Sequence, residues 1–404
     1  MRKQLLPPTL FAIVMYVWLP RVSETAYLPA LPNMVLDFQA SANLLELTIT
    51  IYLVVFSITT LFWGYLTDRF GRRPILLVSL FIFILGCIVC WWSHSIEYFF
   101  LGRILQACGA SAGPVLSQST ARDCFHGAAR NKAYSTVGMW MGLAPAIGPF
   151  FGGFIDQYWG WTHIFSLIAL ASFVFLLYVY LRIAETRPLA AKGAHITPWR
   201  AYKILLIDKR LVGMGLLVGA PLGGGLAFSA EGPFYYIQIY GLDTATYGVI
   251  VASLTFFLAV GSFLSRSMHS KQFTTETIIN IATKLNIAAS CILLTLTLLH
   301  VLTPAQAWLS LIIVSMLMMA IFLSMGMIIP NAIASATENY PHIAGAISSV
   351  FTSFFYLCAM VFSGTMSLLH NGTIYPLPIV IALSALVLYM TNRYCVQPKI
   401  SSIE

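Results

Sequence analysis

A chain of 404 residues in which 59% are hydrophobic and 9% charged has too few charges for a water-facing surface, since soluble domains carry roughly 25%. With a mean hydropathy of +0.83, most of its surface must face lipid, which excludes a soluble globular enzyme or binding domain. The formal net charge of +8 excludes little by itself, because its distribution decides whether it meets nucleic acid or a membrane.

A spanning helix takes about 20 apolar residues. The apolar runs predict twelve, at about 8–32, 44–66, 75–94, 97–119, 131–155, 162–183, 211–238, 245–266, 275–299, 306–330, 340–368 and 374–395. Cations fill alternate connections. Arg2 and Lys3 precede the first run; Arg69, Arg72 and Arg73 follow the second; Arg122, Arg130 and Lys132 follow the fourth. Arg182, Arg187, Lys192, Arg200, Lys203, Lys209 and Arg210 cluster after the sixth, Arg266 and Lys271 follow the eighth, and Arg393 and Lys399 close the chain. The intervening connections hold Asp37, Glu97, Asp156 and Asp243 and no Lys or Arg. This positive-inside pattern predicts cytoplasmic termini, so the basic balance reports orientation and no nucleic-acid partner is expected. The only long hydrophilic connection, 184–210, divides the chain into two six-helix halves, 1–183 and 211–404. It is expected to tether them, with a short amphipathic helix on the inner membrane surface.

In chain order, the first run places Arg21, Glu24 and Tyr27 three apart, on one helical face. Glu46 lies near the outer end of the second run, which finishes in Gly64-Tyr-Leu-Thr-Asp68-Arg69-Phe-Gly71-Arg72-Arg73. There Gly64 permits close helix approach, and Asp68 can pair with an arginine or a helix N-terminus. Cys87 and Cys90 have metal-like spacing but lie in a wholly apolar run, so they read as packing. The fourth run carries Arg103 and Gln106 about 9 Å into the membrane by helical rise. An ionised group there is expensive and is paired, cavity-facing or snorkelling to the headgroups. The fifth run has small residues four apart at Ala144, Gly148 and Gly152, with Gly153 beside them and kinking prolines at Pro145 and Pro149. Glu231 sits in the seventh run, and Lys284 about 13 Å into the ninth, where snorkelling is the other reading. Tyr27, Gln106, Trp140, Met141, Phe228, Tyr235 and Tyr236 are candidates to line a cavity. The histidines at 94, 163, 300 and 370 lie near loop edges without metal spacing, and no phosphate-cradling glycine loop of the P-loop type is present.

These motifs resemble the major facilitator superfamily of secondary transporters. The Gly64–Arg73 loop resembles its conformational latch, which assigns that role to Gly64, Asp68, Arg69, Gly71, Arg73 and Arg122. Gly148-Pro149-x-x-Gly152-Gly153 resembles the antiporter signature of the twelve-helix drug:proton group, in which this segment is a hinge between halves. Leu101-Gly102-Arg103-Ile-Leu-Gln106 resembles the group's proton-coupling motif, with Ala107 in place of a glycine. Tyr27-Leu-Pro-Ala-Leu-Pro32 is similar to the first-helix signature of the Bcr/CflA type of bicyclomycin and chloramphenicol exporters. There an acid stands two residues before the tyrosine; here Thr25 holds that place and Glu24 supplies the acid.

The resemblance implies an all-α integral membrane protein of two six-helix bundles, in a bacterial cytoplasmic membrane. It implies a proton-coupled exporter of drugs or small metabolites that works by alternating access as a monomer among lipids. It needs no cofactor or metal beyond the proton gradient. Glu24, Glu231, Glu46, Arg21, Arg103 and Lys284 are the candidates for proton coupling or substrate charge, with three acids and two arginines expected at one cavity. A static Arg21–Glu24 pair is the plainer alternative. The competing functions are a dedicated carrier for one anionic metabolite, such as a siderophore, and, remotely, a membrane-embedded enzyme, for which no nucleophile–base pair is visible.

Overall fold

Backbone polar groups in hydrocarbon must be satisfied within the chain, and each apolar run accordingly forms a helix. The computed structural model describes residues 6–187, 198–302, 307–337, 340 and 344–396. Arg2, Lys3, Pro188, Lys192 and Lys399, and the side chains of Ala344 and Ala346, lie outside the described residues.

The first span is interrupted. Helix α1 (Leu10–Ala26) passes through a 3₁₀ turn at Leu28–Ala30 into α2 (Leu31–Phe38), because Pro29 and Pro32 each remove a backbone donor. Then come α3 (Ala42–Phe70), α4 (Arg72–Trp91), α5 (Ile96–Ala110) continued by α6 (Ala112–Cys124), α7 (Gly127–Trp159) and α8 (Thr162–Arg182). The short α9 (Pro198–Ile207) precedes α10 (Lys209–Pro233), which runs on as a π-helical turn over Phe234–Ile239. Helices α11 (Thr244–Ser270), α12 (Thr275–Leu298), α13 (Ala307–Thr337), α14 (Ala344–Leu369) and α15 (Pro376–Thr391) complete the chain. With α5 and α6 taken as one, eleven helices among the described residues are long and apolar enough to cross a membrane. The 17-residue α1 is shorter, and its turn and α2 extend it to make the twelfth.

Loop residues cap these helices as their chemistry dictates. Ser41, Asp208, Asp243 and Thr274 accept backbone N–H groups at the starts of α3, α10, α11 and α12. Leu6 pairs with the end of α8, its N–H donating to the Arg182 carbonyl at 2.8 Å.

Helix α7 lies between α1 and α11. A side chain at Gly152 would strike the Ala26 carbonyl, one at Gly148 would meet Thr25 and Val22, and one at Gly153 would meet the Thr244 carbonyl. From the other side, Gly248 rests on the Pro149 carbonyl. The small-residue stripe is therefore a close seam on two faces of α7: Gly148 and Gly152 hold α1 within the first six spans, and Pro149 and Gly153 join them to α11 of the last six. Helices α3 and α14 form the second crossing, through Thr50–Ser363 at 3.2 Å and Phe56–Tyr356 at a ring separation of 4.9 Å. Helix α9 buries Ala201 and Leu205 against this crossing while Trp199 and Ile207 stay exposed, in keeping with the amphipathic helix expected there.

Candidate functional site

Three clusters of polar groups occupy three levels of the bundle. At the basic end, Arg72 is the first residue of α4, four after Asp68, and its side chain turns inward. Its Nη1 donates to Asp68 Oδ1 at 2.7 Å and to the Thr67 carbonyl at 2.8 Å, and its Nε donates to Asp123 Oδ2 at 3.1 Å. Arg72 and Asp123 are each 6% exposed. Glu185, just beyond α8, accepts the backbone N–H groups of Arg72 (2.9 Å) and Arg73 (3.1 Å), which caps α4 from a distance. Partial burial raises the Glu185 carboxyl, but the N–H groups of Arg187, Arg72, Arg73 and Thr186 outweigh it and hold the group below the usual glutamate range. Gly71 has φ +103°, and a side chain there would collide with this carboxylate.

The arginine that pairs with Asp68 is thus Arg72, which is not among the latch candidates. Arg69 is exposed and reaches Tyr65 and the Phe70 ring, Arg73 donates to the Tyr180 carbonyl, and Arg122 is half exposed at 3.8 Å from Asp123. The role of Asp68's partner falls to Arg72.

At mid-depth, Arg21 Nη1 meets Glu24 at 2.5 Å, and its guanidinium lies 5.3 Å from the Tyr356 ring. Arg103 is fully buried, held between the rings of Tyr27 (4.3 Å) and Tyr52 (4.4 Å), and its Nη1 donates to Gln106 at 2.8 Å. Gln106 in turn reaches Ser23 and Cys87. Arg103 is thus cradled, and it does not snorkel.

At the end opposite the basic loops, Glu46 of α3 and Glu231 of α10 both approach His370, the residue after α14. His370 Nδ1 stands 2.7 Å from Glu231 and 3.3 Å from Glu46. Both carboxylates are fully buried, and His370 is 8% exposed. Nearby, Asn43 donates to the Ser367 and His370 carbonyls at 2.6 and 3.1 Å, and Thr244 donates to Gly153 and Gln157 at 3.2 and 2.9 Å. All of these contacts except Glu231–His370, which lies within the second half, join the first half of the chain to the second, so this end is closed.

The three acids do not share one cavity, because Glu24 is closed in its pair with Arg21 while Glu46 and Glu231 lie at the closed end. Lys284 is exposed on α12 and joins neither group. Phe228, Tyr235 and Tyr236 are packed with Tyr247 and Phe322 as core, not as cavity wall. Tyr27 and Gln106 are buried beside Arg103, whereas Trp140 and Met141 are half-buried, Trp140 edge-on to Trp18 at 6.0 Å. Sequence reasoning missed Arg72, Asp123, Glu185 and His370 as partners. The signal for His370 was weak: a histidine in a turn, 139 residues from Glu231 and farther still from Glu46.

Glu46, Glu231 and His370 offer ligand atoms within 4.8 Å of one another, the only such metal-like group among the described residues. Zinc bonds of about 2.0–2.1 Å in a tetrahedron put ligand atoms about 3.4 Å apart. The 2.7 Å separation is that of a hydrogen bond, so the trio fits shared protons better than a metal.

The Major Facilitator Superfamily model matches residues 13–363. The chain belongs to this superfamily. It is similar to YdgK, an MFS-type transporter of Bacillus subtilis, at 30% identity with 84% of this chain and 83% of that one covered. It is also 28% identical to a bicyclomycin resistance protein homolog of Haemophilus influenzae, covering 89% and 88%. Its fold matches that of a D-xylose–proton symporter with a TM-score of 0.73 at 17% identity, over 94% and 97% of the two chains. As a superfamily member the protein is a multi-pass secondary active transporter and not an enzyme.

Proposed function

We propose that this transporter is a proton-coupled exporter of drugs or small metabolites, in a bacterial inner membrane with its basic end in the cytoplasm. The cation distribution and the bicyclomycin-resistance relative support that direction and orientation. Residues 1–183 and 211–404 would be the two bundles that rock as a monomer among lipids, with 184–210 joining them and the proton gradient the only energy source. The latch role stays with Gly64, Asp68, Arg69, Gly71, Arg73 and Arg122, around an Arg72 that holds Asp68 in place, and the hinge role with Pro145, Gly148, Pro149, Gly152 and Gly153.

One observation carries the proton coupling: His370 bridges two buried carboxylates across the halves. Neither oxygen of Glu46, nor Oε1 of Glu231, has a hydrogen-bond partner. Unpartnered anions are costly in low dielectric, so the closed arrangement favours net neutrality, with one imidazolium, one carboxylate and one carboxylic acid. Parting the halves hydrates all three groups and removes that requirement. Closure therefore takes up protons, and by reciprocity protons drive closure. Protons arriving from an acidic exterior would shut this face and return the carrier to its cytoplasm-open form; their release to the cytoplasm before the face parts again is the step by which inward proton flow would power export.

The test is transport in proteoliposomes under an imposed pH difference, using a panel that includes bicyclomycin and chloramphenicol. Wild type should accumulate at least one compound only when the gradient is present. Glu231→Gln and His370→Gln should exchange it without gradient-driven accumulation. Equal proton-driven flux in all three proteins would dismiss the coupling assignment.

A further inference from the structure

Resting on the transport reading above, we infer that the mid-depth cluster is the binding site for a small organic anion, a carboxylate carried on an apolar or aromatic body. The charge count is the first ground. Arg21 and Arg103 supply two positive charges around Tyr52, and Glu24 supplies one negative. Tyr27 and Thr48, Cys87 and Cys90, Gln106, Ser23 and Tyr356 complete the surroundings contributed by α1, α3, α4, α5 and α14, and none carries a compensating charge. Among the described residues no carboxylate lies within ion-pair reach of Arg103. Its two aromatic faces and Gln106 offset its buried charge only in part.

The second ground is the set of donors without acceptors. Arg103 Nε and Nη2, Arg21 Nε and the Tyr52 hydroxyl are all buried and unpartnered. A surplus positive charge surrounded by four idle donors is complementary to a group with one negative charge and two acceptor oxygens. A carboxylate meets a guanidinium in that way, through paired N–H···O bonds. A lipophilic cation would add a like charge to the surplus and leave every donor idle.

The third ground is what borders the charge. Tyr52, Phe56 and Tyr356 form a run of rings beside Arg21, with centroid separations of 6.1 and 4.9 Å. One turn away, Trp18 and Trp140 are half-buried. Arg103 is sealed, whereas the Arg21 side chain is 19% exposed, so the approach to the cluster is at Arg21. The anion would meet the Arg21 guanidinium with its body against the Tyr356 ring. It would compete with Glu24 for that guanidinium while Arg103 holds the surrounding potential positive.

Equilibrium binding to the purified full chain in detergent, with no pH gradient, tests this apart from proton coupling. Three probes share a phenyl ring and differ in the head: benzoate, benzamide and benzylammonium. Benzoate should bind saturably, and the other two should fail to displace it. Tyr52→Phe keeps the ring and removes an idle donor, and should weaken benzoate about tenfold. Arg21→Gln should weaken it at least as much. Glu24→Gln frees Arg21 and should tighten binding, an effect that loss of a merely structural pair would not produce. Thermal unfolding shows which variants remain folded. Absence of saturable benzoate binding, equal binding of all three probes, preference for benzylammonium, or weaker binding in a folded Glu24→Gln variant would each overturn the proposal. Loss of gradient-driven transport with the benzoate preference intact would strike the coupling reading alone.

Discussion

The two ends of the molecule are held by different chemistry. At the basic end, Arg72, Asp68, Asp123 and Glu185 all come from the first half of the chain or the segment just after it. A guanidinium keeps its charge at any pH a cell meets, and its partners here are the carboxylates of Asp68 and Asp123. The opposite end is joined across the halves by groups that gain or lose protons. The contrast teaches that fixed charges brace one half of the chain internally, while titratable groups sit where the two halves meet.

The harshest way to break that contrast is to remove the buried partner of Arg72. Asp123→Asn leaves a nearly inaccessible guanidinium with only the more exposed Asp68 as counter-charge and should cost up to about 3 kcal/mol, read as lower thermal stability of the purified protein. Arg122→Gln, on a half-exposed cation 3.8 Å from the same acid, should change stability by less than about 1 kcal/mol. Similar losses in both would refute the brace assigned to Arg72.

Between the ends, Gly152→Ala forces a methyl group against the Ala26 carbonyl. Overpacking of this kind costs about 1–3 kcal/mol, so the variant should unfold earlier. Gly142→Ala, where nothing lies within 4 Å, should be tolerated. Equal tolerance would mean that the seam is not a close contact.

At the titrating end, spin labels at the exposed positions Leu44 and Leu368 report the separation of α3 and α14. Raising the pH strips protons from the trio and leaves net negative charge, so the separated population should grow. Coupling of about 1–3 kcal/mol would make the shift about 5–150-fold in population ratio. Glu231→Gln should flatten the response. A wild-type distance distribution that ignores pH would sever protonation from gating.

The smallest effect belongs to Glu185. Glu185→Ala removes the remote cap of α4 and should cost about 1 kcal/mol. Because this carboxyl is held below its ordinary range, its stabilisation is fully present above the ordinary glutamate pKa of about 4.3 and disappears as the pH falls through the lowered value. The stability difference between wild type and Glu185→Ala should therefore close under acid. A difference that persisted there would assign the cap to something other than the carboxylate.

Much of this was legible in one dimension. Helix spans, the Gly64–Arg73 loop and the glycine stripe are local patterns, because hydrophobic length and small-residue spacing act over a few turns. Arg21–Glu24 and Arg103–Gln106 were equally readable, each being three residues apart. Partnerships created by folding were not. Glu185 meets Arg72 across 113 residues, and His370 meets Glu231 across 139, so no periodicity links them. Glu46 and Glu24 appeared alike as buried acids, yet depth in the bundle and choice of partner separate them. Asp68 offered three nearby arginines, and only the helix start at Arg72 selected which one turned inward.

The seam along α7 has a mechanical consequence. Where Gly152 lies against the main chain at Ala26, and Gly248 against that at Pro149, the facing rods have no interlocking teeth and could roll over one another with few rotamer changes. Such a contact behaves as a plain bearing: it carries load and resists little. The resistance that sets the pace of the cycle must then come from the fastenings at the rims, and a wedge-shaped inhibitor would stall the machine by jamming this smooth track.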